Sequence, residues 1–175
     1  MKKLLILGGL LAMTSGAFAQ GTLVFANLAG GVNAPITNSL GQRIVGPNNL
    51  LIDLYYSTTV GAATDTFIPG GFNVPFSTTT AGGGGGYFLG GTRTINGASG
   101  TIVAQVRVWD STKGGTFNIL GEWGASSPFS LTLTVPPASP AAMTGLSSFG
   151  TIIPEPSTFA LAGLGAALLI FRRRK

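Results

Sequence analysis

The chain has 175 residues, no cysteine and no histidine, and a formal net charge of +5. Without these two residue types, Ser-His-Asp and Cys-His catalysis, disulfides and most zinc, copper and iron sites are excluded, and we expect no cofactor or metal. The basic residues concentrate at the two ends, and the remaining four (Arg43, Arg93, Arg107, Lys113) balance four acidic residues (Asp53, Asp65, Asp110, Glu122). A neutral body of this kind displaces few counterions from phosphates, which excludes nucleic acid as a partner.

The first nineteen residues are typical of a secretory signal peptide. Two lysines precede an apolar stretch from Leu4 to Met13, and Ala17 and Ala19 supply the small side chains that signal peptidase reads. We expect cleavage between Ala19 and Gln20. The alternative is an uncleaved N-terminal anchor, but the apolar run is too short to span a membrane. The sequence therefore predicts an exported protein.

Residues 20–153 have the pattern of one all-β domain. Apolar and polar residues alternate along three segments, and the predicted inward-facing sets are Leu50, Ile52, Leu54 and Tyr56; Ile102, Ala104, Val106 and Val108; and Phe129, Leu131, Leu133 and Val135. Turn residues separate short segments, so we predict a single antiparallel β-sandwich of jelly-roll or immunoglobulin-like type. The predicted strands are 23–28, 50–57, 66–68, 73–77, 87–95, 101–110, 117–120, 129–135 and 148–153.

Residues 154–175 divide into a motif, an apolar stretch and a basic tail. Pro154-Glu155-Pro156 is expected to be extended, because proline cannot continue a helix. Residues 157–171 are predicted to form a short transmembrane helix that begins at Ser157 and Thr158. The basic tail marks the cytoplasmic end, where its side chains reach the interface; it consists of Arg172, Arg173, Arg174 and Lys175.

These three features in this order resemble the PEP-CTERM sorting signal, which exosortase reads in Gram-negative bacteria. The resemblance covers about two dozen residues. It implies cleavage near the Pro-Glu-Pro triplet by an exosortase-type membrane protease, after signal peptidase has acted. It also implies an inner-membrane-anchored precursor, a later place at the cell surface or in the extracellular matrix, and an association with exopolysaccharide or biofilm. The alternative is a plain C-terminal anchor, which needs neither the triplet nor so short a span.

The middle of the chain resembles small uncharacterised passenger domains that travel with this signal. The matching stretches are "GTLVFAN" (21–27), "GYFLGGTRTI" (86–95) and "AQVRVWDS" (104–111). The resemblance implies one exported domain and no particular activity.

Two sets of side chains in this domain are candidates for chemistry. The alternation places Trp109 on an outward face with Arg107 and Gln105, where an indole and a guanidinium can bind a sugar ring, and Tyr55 and Trp123 can extend the platform. The alternative is a buried tryptophan with Arg107 stacked on it. Asp110 and Glu122 are the best available carboxylate pair for a glycosidase, but aspartate is common at such turns for structural reasons.

Three functions from different classes follow. The first is a noncatalytic exported surface or matrix protein that is sorted through its tail. The second is a carbohydrate-binding module, which requires an exposed aromatic strip. The third is a polysaccharide-acting enzyme, which requires two carboxylates converging in a groove. We favour the first.

Overall fold

The structure is a computed structural model that describes residues 20–78 and 85–154. The predicted signal peptide and the predicted helix of residues 157–171 lie outside the described residues. Within the described ranges, no helix has the length and apolar character needed to cross a membrane.

The described residues form eleven β-strands and two single-turn 3-10 helices. The strands are β1 (Gln20–Ala26), β2 (Ile36–Thr37), β3 (Leu50–Ser57), β4 (Ile68–Pro69), β5 (Val74–Pro75), β6 (Leu89–Asn96), β7 (Gly100–Asp110), β8 (Trp123–Ala125), β9 (Phe129–Leu133), β10 (Ala141–Ala142) and β11 (Phe149–Gly150). The 3-10 turns are Thr64–Thr66 and Ser111–Lys113. The predicted all-β class is confirmed.

The strands pair in three sheets. The largest is built on the antiparallel pair β3–β7, with β4 and β5 on the free side of β3 and β8 and β9 on the free side of β7. A second sheet has the order β10-β1-β6, and the third is the pair β11-β2. The β1–β10 and β2–β11 pairs are parallel, so the sheets are mostly rather than wholly antiparallel. The jelly-roll or immunoglobulin-like type stays a prediction.

One apolar core joins the sheets. The inward-facing sets predicted for β3 and β7 are all buried in it, together with Phe129, Leu131 and Leu133 of β9. Leu23 and Phe25 of β1 pack into the same core from the second sheet. The alternation of apolar and polar residues therefore identified the buried faces of β3, β7 and β9 correctly. The exception is Val135, which lies beyond the end of β9 and is 51% exposed.

Several predicted strands were wrong in place or length. Residues 117–120 are a loop in which Asn118 accepts a hydrogen bond from the N–H of Leu120, so a side chain satisfies the backbone instead of a neighbouring strand. Residues 64–66 are a 3-10 turn, and only Ile68–Pro69 follows as strand. The predicted strand 148–153 has regular pairing at Phe149–Gly150 only, with one further bridge at Ile152.

Three short strands were not predicted: β2, β8 and β10. In β8, Gly124 is a position where a side chain cannot fit, because a Cβ atom there would lie 2.9 Å from the carbonyl oxygen of Gly150. The glycine lets the backbone at the end of β11 pass close to β8. In the sequence, however, a glycine at this point indicates a turn. Two-residue strands carry too little alternation to be predicted from a sequence.

Candidate functional site

The chain leaves the fold through a strand that is hydrogen-bonded on both sides. β11 pairs with β2, and the N–H of Thr151 donates to the carbonyl of Thr37 at 2.8 Å. On the other side Ile152 forms an antiparallel bridge with Trp123, through hydrogen bonds of 2.7 and 3.0 Å. Thr151 is buried, whereas Ile152, Ile153 and Pro154 are exposed. Among the described residues, the last one that pairs with a strand is thus Ile152, two residues before the first proline of the triplet.

The Thr151 side chain adds to this attachment. Its hydroxyl donates a hydrogen bond to the carboxylate of Glu122, the residue before β8. The same hydroxyl lies 3.4 Å from the carbonyl oxygen of Thr37. This role of Thr151 could not be predicted from the sequence, because a single threonine near a terminus has no distinctive pattern.

The outer face of the β3–β7 pair carries a cluster of aromatic and charged side chains. Arg107 donates from Nε to Oε1 of Gln105 at 2.8 Å and from Nη2 to the carbonyl of Thr64. Its guanidinium carbon lies 4.2 Å from the centroid of the Tyr55 ring and 5.0 Å from that of Phe117. The cation is therefore enclosed by two rings and two acceptors, and burial lowers the pKa of Arg107.

Trp109 is not an exposed sugar platform. Its side chain is fully buried, and Nε1 donates to the carbonyl of Gly114 at 3.2 Å. Phe117 packs edge-on against Trp109, with 6.4 Å between ring centroids, and against Trp123, with 5.9 Å. Tyr55 is only 7% exposed. The exposed strip that a carbohydrate-binding module requires is therefore not present at Tyr55 and Trp109, because the segment from residue 111 to residue 122 covers this face of the sheet. The alternative of a buried tryptophan is the one observed, although Arg107 stacks on Tyr55 and Phe117 instead of on Trp109.

A shallow cavity of about 270 Å³ remains beside the cluster. It is lined by Thr64, Asp65, Gln105, Arg107, Phe117, Trp123 and Ala125. Of the four predicted sugar-contact residues, Arg107 and Trp123 thus meet at one cavity, and Trp123 is partly exposed. Phe117, which the prediction placed in a strand and not in the site, forms part of the wall.

Asp53 lies on the same outer face of β3 and is buried without a basic partner in the described residues. Its carboxylate accepts hydrogen bonds from the N–H groups of Leu54 at 2.8 Å, Gly71 at 2.9 Å and Phe72 at 2.9 Å. Burial raises the pKa of this carboxyl group, and the three N–H donors oppose the rise. Asp53 thus attaches the 70–72 turn to β3.

A second, polar groove of about 410 Å³ contains both Asp110 and Glu122, together with Asn38, Arg43, Ile44, Val45, Asn48, Asn49 and Leu50. Asp110 accepts hydrogen bonds from the N–H and hydroxyl of Thr112, which lower the pKa of its carboxyl group. Glu122 accepts from Thr151. Both carboxylates have local structural partners. In the described ranges no group of three or more His, Cys, Asp or Glu residues is placed to bind a metal ion.

Residues 153–175 match the family model of the PEP-CTERM protein-sorting motif. The chain carries a PEP-CTERM motif. No curated protein and no solved structure matched the chain.

The PEP-CTERM match confirms the resemblance seen in the sequence. It implies export and a membrane-anchored precursor that exosortase, a membrane protein, processes at the cell envelope. Of the predicted sorting residues, Pro154 is described and exposed. The others (Glu155, Pro156, Ser157, Thr158, Arg172, Arg173, Arg174, Lys175) lie outside the described residues, as do Ala17 and Ala19. Gln20 is exposed and is the first residue of β1.

Proposed function

We propose that this chain is the precursor of an exported, noncatalytic protein of the cell surface or extracellular matrix. Residues 1–19 are the signal peptide, residues 20–153 the exported β passenger, and residues 154–175 the PEP-CTERM sorting signal with its transmembrane helix and cytoplasmic basic anchor. Signal peptidase releases the N-terminus at Gln20, and exosortase cuts near Pro154. The passenger then functions with exopolysaccharide or biofilm matrix.

The observation that carries this proposal is the position of the PEP-CTERM motif relative to the fold. In the described ranges the last bridged residue is Ile152, so a cut near Pro154 falls after the paired strands, and a cut before Gln20 leaves all of β1 in place. Cuts at those positions remove both end segments and leave the core strands intact. The local hydrogen bonds of Asp110 and Glu122 support a structural rather than a catalytic role for that pair.

The test is intact-mass spectrometry of the protein recovered from its native host. We expect a species that begins at Gln20 and ends near Pro154 in wild-type cells. Glu155→Ala and an exosortase-deficient strain should both accumulate a heavier form that retains the basic tail. Asp65→Ala, which removes an exposed carboxylate of the passenger, is the matched control and should be processed normally. Retention of Arg172 to Lys175 in the mature wild-type protein would refute the proposal.

A second candidate is carbohydrate binding at the shallow cavity, and one observation favours it. Trp123 and Phe117 place aromatic surface beside Arg107 in the same cavity, and no hydrogen bond within the described residues engages Nη1 of that arginine. Aromatic faces next to a polar donor suit a sugar ring. The cavity is a smaller site than the strip predicted from the sequence.

Titration of the processed protein with exopolysaccharide from its host, followed by Trp fluorescence, tests this candidate. We expect Asp65→Asn and Phe117→Leu to weaken binding at least threefold, because they change polar and aromatic walls of the cavity. Val60→Ser, at an exposed position in the turn after β3, is the control and should bind as wild type. Equal affinities for all three variants would exclude the cavity as the sugar site.

A further inference from the structure

The end of the β body from which the chain exits carries several exposed aliphatic side chains. Ile152 is 50% exposed and Ile153 57%. The antiparallel bridge between Ile152 and Trp123 directs the loop that precedes Trp123 towards the residues that follow Ile152. That loop carries Ile119, 58% exposed, and Leu120, 73% exposed. We call Ile119, Leu120, Ile152 and Ile153 the exit rim.

The tether between the exit rim and the membrane is short. Four residues lie between Ile152 and Ser157, where the predicted apolar helix begins, and the five steps from Ile152 to Ser157 span at most about 17 Å when fully extended. The polar interfacial layer of a bilayer takes up roughly 5–7 Å of that length. A domain of this size has a radius of gyration of about 14 Å, so its diameter exceeds the tether. The exit end must therefore face the bilayer.

We infer that the exit rim contacts the bilayer surface while the precursor is anchored, which rests on the proposed membrane-anchored precursor. Isoleucine and leucine gain free energy when they leave water for the interfacial region. Trp123 stands directly behind the rim and is partly exposed, which suits an aromatic residue at the level of the headgroups. The partner is thus lipid, and the contact ends when the tail is removed.

The opposite end of the large sheet provides the comparison. Val60 follows the far end of β3 and is 80% exposed. β3 and β7 are antiparallel, with Leu50 opposite Asp110 at the exit end and Ser57 opposite Val103 at the other. The seven steps of strand from Leu50 to Ser57 separate these two ends by about 23 Å. A contact made through the exit rim therefore leaves Val60 in water.

The test uses the absence of cysteine from the chain, which makes any introduced cysteine a unique labelling site. Full-length Leu120→Cys and Val60→Cys are each spin-labelled and reconstituted in vesicles of phosphatidylcholine and phosphatidylglycerol. Collisions of the label with oxygen, which concentrates in lipid, and with a water-soluble nickel chelate are then measured. We expect a several-fold higher ratio of oxygen to nickel collisions at Leu120 than at Val60. Both side chains are highly exposed, so neither change should disturb folding.

Three results would overturn the inference. Equal ratios at the two positions would show that the rim stays in water. A Leu120 label shielded from both reagents, or dipolar broadening between labels, would show a protein partner or a second copy instead of lipid. Failure of the full chain to associate with the vesicles at all would instead count against the membrane-anchored precursor itself, so the two failures are distinguishable.

Discussion

Asn27 shows how one buried side chain joins distant segments. It is fully buried, and its amide donates to the carbonyls of Ala34 at 2.7 Å and Gly86 at 2.8 Å, while its oxygen accepts from the N–H of Phe88 at 2.8 Å. Every strong hydrogen-bonding group is used. The residue therefore ties the end of β1 to the segment that leads into β6.

We predict that Asn27→Ala lowers the free energy of unfolding by about 2–4 kcal/mol, because three buried backbone groups lose their partner. The matched control is Asn48→Ala. Asn48 makes similar local hydrogen bonds to Val45 and Leu50 but is exposed, so water replaces them and the cost stays below about 1 kcal/mol. Urea denaturation of the processed protein measures both. Equal losses would show that burial does not distinguish the two residues.

Asp53 gives a pH prediction with a definite sign. Its pKa in the folded state is raised by burial, so the folded state binds a proton more readily than the unfolded chain. The stability linked to this group is fully present below its unfolded pKa, near 3.9, and is lost as the pH rises through the raised value. We expect the stability of wild type relative to Asp53→Asn to fall between pH 3.5 and pH 7.

Parallel denaturation series of the two proteins across that pH range check this prediction. Asp110, whose pKa is lowered, has the opposite dependence but is present in both proteins and cancels in the difference. A difference that rises with pH would contradict the assignment of burial as the main influence on Asp53.

Among the strands, Gly124 determines how closely β8 can pack against the end of β11. A Cβ atom at this position would lie 2.9 Å from the oxygen of Gly150 and 3.1 Å from Cα of Thr151, both of them backbone atoms that cannot turn away. We predict that Gly124→Ala costs about 1–3 kcal/mol and increases hydrogen exchange at the N–H of Ile152. Gly115→Ala, where nothing lies within 4 Å, is the control. Unchanged protection at Ile152 would refute the prediction.

The segment that covers the outer face of the large sheet also yields a prediction. Phe117 contacts Tyr55, Trp109 and Trp123 by ring edges. In a Trp123→Phe background, Phe117→Ala should shift the emission of Trp109 to longer wavelength, since water reaches the indole. Leu120→Ala, in the same loop but 73% exposed, should leave the emission unchanged. An unshifted spectrum for the Phe117 variant would mean that other residues exclude the water.

The long strands could be predicted from the sequence. The short strands, and the loop that covers the outer face of the large sheet, could not. β3 has the predicted bounds, because eight residues of alternation on a buried strand leave little ambiguity. Trp109 was assigned to the correct face of β7, but periodicity cannot tell whether a loop covers that face. Burial here depends on Phe117, which reaches the sheet from a loop and whose own segment resembles a strand. The sorting motif was predictable because it is a local pattern.

For the molecule as a whole, the single apolar core predicts cooperative unfolding. Side chains from β1, β3, β7 and β9 pack in the same cluster, so no sheet has a core of its own. We expect the processed protein to unfold in one two-state transition, with coincident midpoints by far-UV circular dichroism and Trp fluorescence. Separate midpoints would show that the sheets are independent units.

The parallel pairing of β11 with β2 has a mechanical consequence. The tail follows that strand in the chain, and a pull on the tail can act along the strand axis. Such a load shears the hydrogen bonds of Thr151 and Ile152 together, whereas a perpendicular pull would open them one after another. Bonds loaded together resist a greater force than bonds loaded in sequence. An anchored precursor under such tension would therefore keep its strands paired up to Ile152.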